Sequence, residues 1–355
     1  MKEMSAAEKN GGPRILISRL SHIGDCILTI PLLNALRAHF PQTFITWVVQ
    51  KPTDQLLSGQ PALDELVVVP AGFLRSPGEL SKLRRRLQFL RFDVAIDPQA
   101  LTKSAVVSRL SGARQRISFT RGVARELAPL LNNDLVEPTK EHVVDRQLEL
   151  LKPLGVNTAR TDFTIPANDI TREFIDSFVS QTHLGCDYAV INPGAGWGSR
   201  RWSSERFGRV AKVLGECHRI PTVVSWAGSE EKQWASDIAA HSGGHAMVAP
   251  PTSLLQLAEL LRRARIFVGC DTGPMHLAVA VDVPCVVLHG TTRPAQSGPY
   301  GEKHQAIQAF YQGGSSRNRR SASNDAMRAI EVDDVCDACR KVLQSSSESK
   351  LSQIA

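Results

Sequence analysis

Short β-rich runs alternate with longer helical patterns along this chain, and the alternation lapses once and restarts. Such a chain folds into parallel α/β layers, because a strand reaches its parallel neighbour only through a crossover, usually a helix. The clearest strands of the first half are residues 14–18 (RILIS), 44–49 (FITWVV), 66–69 (LVVV) and 92–97 (FDVAID). Residues 157–170 (NTARTDFTIPANDI) turn polar and proline-containing, which marks a linker. Strands then recur at 188–192, 222–226, 266–269 and 284–288, around helical stretches such as 203–218 and 252–263. The expected fold is α/β, with two doubly wound sheets, a cleft between them and ligands beyond the carboxyl ends of the strands.

This pattern sets the expected organisation. Residues 1–13 are a disordered N-terminal segment, 14–165 a first domain and 166–325 a second. Residues 326–344 form a C-terminal helix that packs back on the first domain, and 345–355 a disordered tail. Residues 312–325 (QGGSSRNRRSASND) read as a mobile basic loop.

The 355 residues, 42% hydrophobic and 22% charged, suffice for two ordinary cores and are too polar for a membrane bundle. The polar first residues lack the apolar core of a signal peptide, and no later stretch approaches the roughly 20 apolar residues of a spanning helix, so a cytoplasmic location is expected. The net charge of +7 suits nucleotides, phosphorylated glycolipids, an acidic membrane surface or nucleic acid, without choosing among them. Seven scattered cysteines read as free thiols, and the Cys336–Cys339 pair as one face of a buried helix, since no second Cys or His pair lies nearby to complete a metal site.

Three segments carry chemistry. RILIS runs into Arg19-Leu20-Ser21-His22-Ile23-Gly24-Asp25 and then a helical pattern, which places Asp25 at a helix start on the ligand edge. The competing interpretation makes Asp25 an ordinary N-cap. Residues 266–276 (IFVGCDTGPMH) end a strand, turn at Asp271-Thr272-Gly273 and start a helix at Pro274. Free N–H groups there form an anion site suited to a pyrophosphate, with His276 in the first turn as a further donor. Capping by Asp271 and Thr272 and a packed core histidine are the alternatives. Residues 191–202 (INPGAGWGSRRW) leave a third strand through a glycine-rich loop and end in Arg200 and Arg201, either of which can neutralise a leaving diphosphate.

The order of RLSHIGDCILTIPLLNALR, DPQALTKSAVVSRLSGA at 97–113, NPGAGWGSRRWSSERF at 192–207 and GCDTGPMHLAVAVDVPCVVLHG at 269–290 resembles the ADP-heptose:lipopolysaccharide heptosyltransferases, glycosyltransferase family 9, over residues 14–344. The resemblance implies a GT-B architecture of two Rossmann-like domains facing a central cleft, with the acceptor on the first and an ADP-sugar on the second. It implies inverting transfer of a heptose to a Kdo or heptose sugar of the lipopolysaccharide inner core, with no metal and no cofactor. Asp25 matches the catalytic base of the family and Arg200 the residue that stabilises the leaving group. Ala195, Gly196, Arg201, Glu231, Thr252, Asp271, Thr272, Gly273 and His276 fall at donor positions. Ser21, Lys103, Arg125 and Arg146 fall at acceptor positions. The implied partners are a nucleotide-sugar, a glycolipid and, peripherally, the inner face of the inner membrane, with no nucleic acid.

The chain departs from the family at two places. Arg200 stands where a lysine is usual, and Arg293, in HGTTRP, where an aspartate is common. A planar fork replaces a point charge at the first, which bears on donor choice. The alternatives are a transferase or epimerase of the same frame using another nucleotide-sugar, or a non-catalytic protein that binds nucleotide-sugars or nucleic acid.

Overall fold

The computed structural model describes residues 12–157, 160–185 and 187–354. Residues 1–11 of the segment expected to be disordered, and Cys186, lie outside the described residues. The chain divides into two compact units between Pro166 and Ala167, inside the stretch read as a linker.

The first unit holds six parallel strands: β1 (Arg14–Ser18), β2 (Phe44–Gln50), β3 (Glu65–Val69), β4 (Val94–Ile96), β5 (Gln115–Phe119) and β6 (Asp134–Val136). Their order across the sheet is β3-β2-β1-β4-β5-β6. The chain starts at the centre, walks out to β3, returns to β4 beside β1 and walks out the other way. That reversal makes a switch point between β1 and β4, where the following loops part and leave a crevice at the carboxyl ends.

The second unit repeats the plan with β7 (Tyr188–Asn192), β8 (Thr222–Val224), β9 (Ala246–Val248), β10 (Ala264–Cys270), β11 (Cys285–Leu288) and β12 (Gln305–Ile307). Its order is β12-β11-β10-β7-β8-β9, so its switch point lies between β7 and β10.

Central strands read as unbroken apolar runs because helices cover both faces. Ile15, Leu16 and Ile17 of β1 and all of β7 are buried. In the first unit Leu16, Val48 and Ala95 meet Leu83, Leu87, Leu90 and Phe92 from the helix Pro77–Leu90 and the residues after it. In the second unit Trp202 and Phe207 pack edge to face, 4.9 Å apart, within a cluster that also holds Ile191, Ile238, Val268 and Leu288.

Three expectations for the C-terminal region are corrected. The last helix runs Val332–Ile354, so residues 345–354 of the tail expected to be disordered continue it, and Ala355 lies outside the described residues. Its apolar face, Val335, Cys339, Val342 and Leu343, lies in the second unit's core with Leu214 and Val286, its own domain rather than the expected first one. Residues 312–325 are not a plain loop: they contain the helix Ser316–Ser321, whose N-cap Ser315 accepts from the Asn318 N–H at 3.2 Å. Cys339 is buried and Cys336 packs beside it, as the helical spacing suggests.

Candidate active site

Asp25 sits in the loop-to-helix passage after β1, at the third position of the helix Ile23–Ile27, whose N-cap is His22. It is therefore not the N-cap itself but the acid of a capping box, its carboxylate accepting from the His22 N–H at 3.5 Å. Arg19, the residue after β1, is 7% exposed at its side chain and places Nη2 3.0 Å from Asp25 Oδ2. Its Nη1 donates to the Pro98 carbonyl at 3.2 Å, which ties the loops on both sides of the switch point. Burial alone would raise the Asp25 pKa, but Arg19 and the hydrogen bonds from His22 outweigh it and hold the carboxyl well below the usual carboxylate range. Asp25 is thus favoured in its charged form.

The loop after β4 brings a second cation. Lys103, on the helix Thr102–Leu110, donates to Ser21 Oγ. Burial depresses its pKa and the nearby Arg19 charge adds to that. Arg146 is half-buried, stands 6.0 Å over the Phe119 ring, and is depressed by the same two causes. Asp97, fully buried at the end of β4, is pushed up to about 6 by burial, against hydrogen bonds that include the Ala100 N–H at 2.9 Å and the Asn132 amide at 3.1 Å. It pins the loop that leads into the helix of Lys103. Arg19 and Lys103 near the Asp25 carboxylate, with Arg146 within the field of Arg19, make a site that attracts an anion. Arg125 is exposed, and only its backbone N–H, bonded to the Ala100 carbonyl at 3.0 Å, ties it to this loop.

In the second unit Asp271 follows β10 at the switch point and is nearly buried. Arg200, from the loop after β7, donates Nη1 to the Asp271 carbonyl oxygen at 3.3 Å and lies 3.6 Å from its carboxylate. His276 Nε2 is 3.6 Å from the other carboxylate oxygen. Thr272 is the N-cap of the helix Gly273–Ala280 but makes no side-chain cap bond; its hydroxyl turns to the Cys270 carbonyl at 3.3 Å. Thr272 thus does not cap the helix with its side chain, which leaves the helix start suited to an anion. Pro274 is the second helical residue rather than the first.

Glu231 is in the first turn of the helix Gly228–His241 and accepts from the Ala227 N–H at 2.8 Å. Burial raises its pKa. A Cβ on Gly194 would lie 2.7 Å from Glu231 Oε1 and 3.0 Å from Asn192 Oδ1, so the glycine loop is pressed against that carboxylate. Ala195 is half-buried, Gly196 is exposed with open space around it, and Thr252 follows β9 at the same carboxyl edge.

The structure does not bring Arg201 into this group. Its guanidinium stacks 3.8 Å over Trp234 and lines another groove with Trp202, Arg206, His241 and Arg328. Arg293 is exposed over Tyr311, 4.6 Å from the ring centre.

Sequence reasoning missed three arginines. Arg19 reads as loop, and its partner six residues on becomes visible only once the chain turns. Arg319 and Arg320 lie in the stretch read as a mobile loop, yet they fold against the Arg200 loop. Arg319 donates to the Thr291 carbonyl at 3.3 Å and its own carbonyl accepts from Ser199 at 2.6 Å. Arg200 and Arg320 stack on Trp197 at 4.1 and 5.0 Å. Burial lowers the Arg200 pKa and Arg319 and Arg320 lower it further, against Asp271. Their signal was composition alone.

Two doubly wound units, one with a carboxylate among cations and the other with an open helix start flanked by arginines, define a glycosyltransferase of GT-B architecture. The chain belongs to glycosyltransferase family 9 (heptosyltransferase), whose family profile matches residues 80–326. It is 28% identical over 298 residues to lipopolysaccharide heptosyltransferase 1 of Pseudomonas aeruginosa, covering 81% of each chain. Its fold is similar to the family 9 glycosyl transferase of Veillonella parvula, with a TM-score of 0.80, 24% identity and coverage of 94% of this chain and 98% of that one. It is also similar to E. coli heptosyltransferase WaaC with ADP-2-deoxy-2-fluoro heptose, with a TM-score of 0.72, 25% identity and coverage of 92% and 99%.

Proposed function

We propose that this enzyme transfers a heptose from ADP-heptose to a sugar of the lipopolysaccharide inner core, by single inverting displacement and without a metal. The observation that carries this reading is the Asp271–Arg200–His276 group at the open start of the helix Gly273–Ala280, with Arg319 and Arg320 beside it. Breaking an anomeric bond to a diphosphate leaves a new negative charge on the departing oxygen, and fixed cations and N–H groups meet it without reorganisation. Arginines and backbone donors supply here what a divalent cation supplies elsewhere. The donor reading rests on the family and on the relatives, which include the enzyme with the fluoro-heptose analogue.

Asp25 is the base on the acceptor hydroxyl. As the hydroxyl oxygen bonds to the anomeric carbon, the carbon–oxygen bond to the diphosphate breaks, ADP leaves with the electron pair and the proton passes to Asp25. Held by Arg19, the carboxylate is charged but weakly basic. An acceptor bearing carboxylates or phosphates brings negative charge to Arg19, Lys103 and Arg146, and offsetting the field of the fixed Arg19 raises the basicity of Asp25 as the acceptor binds.

The test is a thermal-shift panel of ADP-, UDP-, GDP- and CMP-sugars, followed by transfer to a Kdo-bearing lipid A with the product anomer read by NMR. Stabilisation by ADP-heptose alone and an inverted anomer are expected. Stabilisation by another nucleotide-sugar, or a retained anomer, overturns the reading.

A further inference from the structure

The helix Pro77–Leu90 presents a surface that the transfer chemistry does not use. Its inner face, Leu83, Leu87 and Leu90, is in the first unit's core. Its outermost ridge, at successive four-residue steps, is Ser81, Arg85 and Phe89, with Arg84 and Gln88 beside it. Phe89 is 76% exposed.

Between Arg75 and Arg91 the chain carries six cations and one carboxylate. Lys82 is paired with Glu79, and Arg86 with Glu65. Arg75, Arg84, Arg85 and Arg91 are exposed and make no ion pair among the described residues. A protein does not gain stability from unpaired, mutually repelling arginines around an exposed phenyl ring. The arrangement suits an external anion with an apolar layer beneath it.

The topology extends the face. The crossovers β3 to β4, β4 to β5 and β5 to β6 all step in one direction across the sheet. Right-handed connections therefore place the helices Pro77–Leu90, Thr102–Leu110 and Ala128–Leu131 on the same side. The middle helix packs against both others. At the far end of this layer Leu130 is 67% exposed, with Leu127 exposed next to its helix. Apolar side chains thus project at both ends of a layer that bears the unpaired arginines.

We propose that this helical layer is a docking surface for an anionic phospholipid membrane, with Arg84 and Arg85 on headgroups and Phe89 inserted at the interface. Charge complementarity selects the partner, since each basic side chain at an anionic leaflet adds to binding and an aromatic ring settles at headgroup level. Nucleic acid would satisfy the arginines and leave Phe89 and Leu130 without a role.

The surface is tested with the whole protein and no sugar substrate, by co-sedimentation with vesicles of equal parts phosphatidylglycerol and phosphatidylcholine, and with vesicles of phosphatidylcholine alone. Binding to the first and not the second is expected, weakened by salt. Arg84→Glu with Arg85→Glu should weaken it by more than about tenfold, and Phe89→Ser should release protein that the double variant's charge change does not account for. All these side chains point outward, so thermal unfolding of the variants should match the parent and exclude misfolding as the cause. Absent binding to the anionic vesicles, equal binding to neutral ones, or indifference to the charge reversals overturns the proposal. So does a double-stranded oligonucleotide that displaces the vesicles while Phe89→Ser binds them normally.

Discussion

Arg19 and Asp25 form a salt bridge of 3.0 Å between the residue that ends the first strand and the carboxylate that opens the following helix. Arg19 is almost buried while Asp25 is half-exposed, so the arginine is the fixed partner and the carboxylate faces solvent. The bridge suppresses the acid titration of Asp25. In Arg19→Gln the carboxyl loses its main stabilising charge and its pKa rises, so the acid limb of the pH dependence of kcat/KM should move to higher pH. The same pairing favours the folded state above the unfolded carboxylate's pKa and is lost as pH falls through the folded one. An acid limb that stays in place would show that Arg19 does not govern Asp25.

Arg319 and Arg320 should bind the donor diphosphate. Replacing either with Gln is expected to weaken ADP binding by about tenfold or more, the scale of a lost charge-assisted hydrogen bond. Isothermal titration with ADP measures it. Arg200→Lys keeps the charge but gives up stacking on Trp197 and the 3.4 Å bond to Thr291, so a smaller loss than in Arg200→Ala is expected.

Gly194→Ala should injure donor binding through Glu231. The new methyl group meets Oε1 at 2.7 Å, and the carboxylate can retreat only by straining its bond to the Ala227 N–H. Weaker ADP-heptose binding with thermal stability close to the parent is the expected outcome.

His289 and His304 couple the second unit to pH. Burial pushes both imidazoles down from 6.5 to about 4, so they are neutral when folded, and the unfolded chain binds their protons first. Stability should therefore fall as pH drops from 6.5 toward 4. Asp97, pushed up to about 6, works in the opposite direction in the first unit. Urea unfolding of the parent and of His289→Asn across that range checks this. The variant should lose less stability on acidification than the parent.

Much of this arrangement was legible in the sequence. The buried central strands announced themselves because a sheet covered on both faces needs unbroken apolar runs, as in RILIS and YAVIN. The three-residue strands β6, β9 and β12 did not, since their partly exposed DLV, AMV and QAI carry too little pattern to separate from loop. The turns at Asp25 and Asp271 showed through glycine, acid and proline at strand ends. Arg19, Arg319 and Arg320 stayed hidden because their roles depend on chain reversals that bring distant backbone together. The destination of the last helix was hidden for the same reason: its apolar face fits any apolar surface, and only the second core shows which one it covers.

The most direct test replaces Asp25 with Asn and measures single-turnover transfer from ADP-heptose together with donor affinity. The substitution keeps the shape and removes the base. A fall in the transfer rate of roughly a thousandfold, within the range for loss of a general base, with ADP-heptose bound about as tightly as by the parent, is the expected result. Near-normal turnover in Asp25→Asn would contradict the assignment of Asp25 as the base.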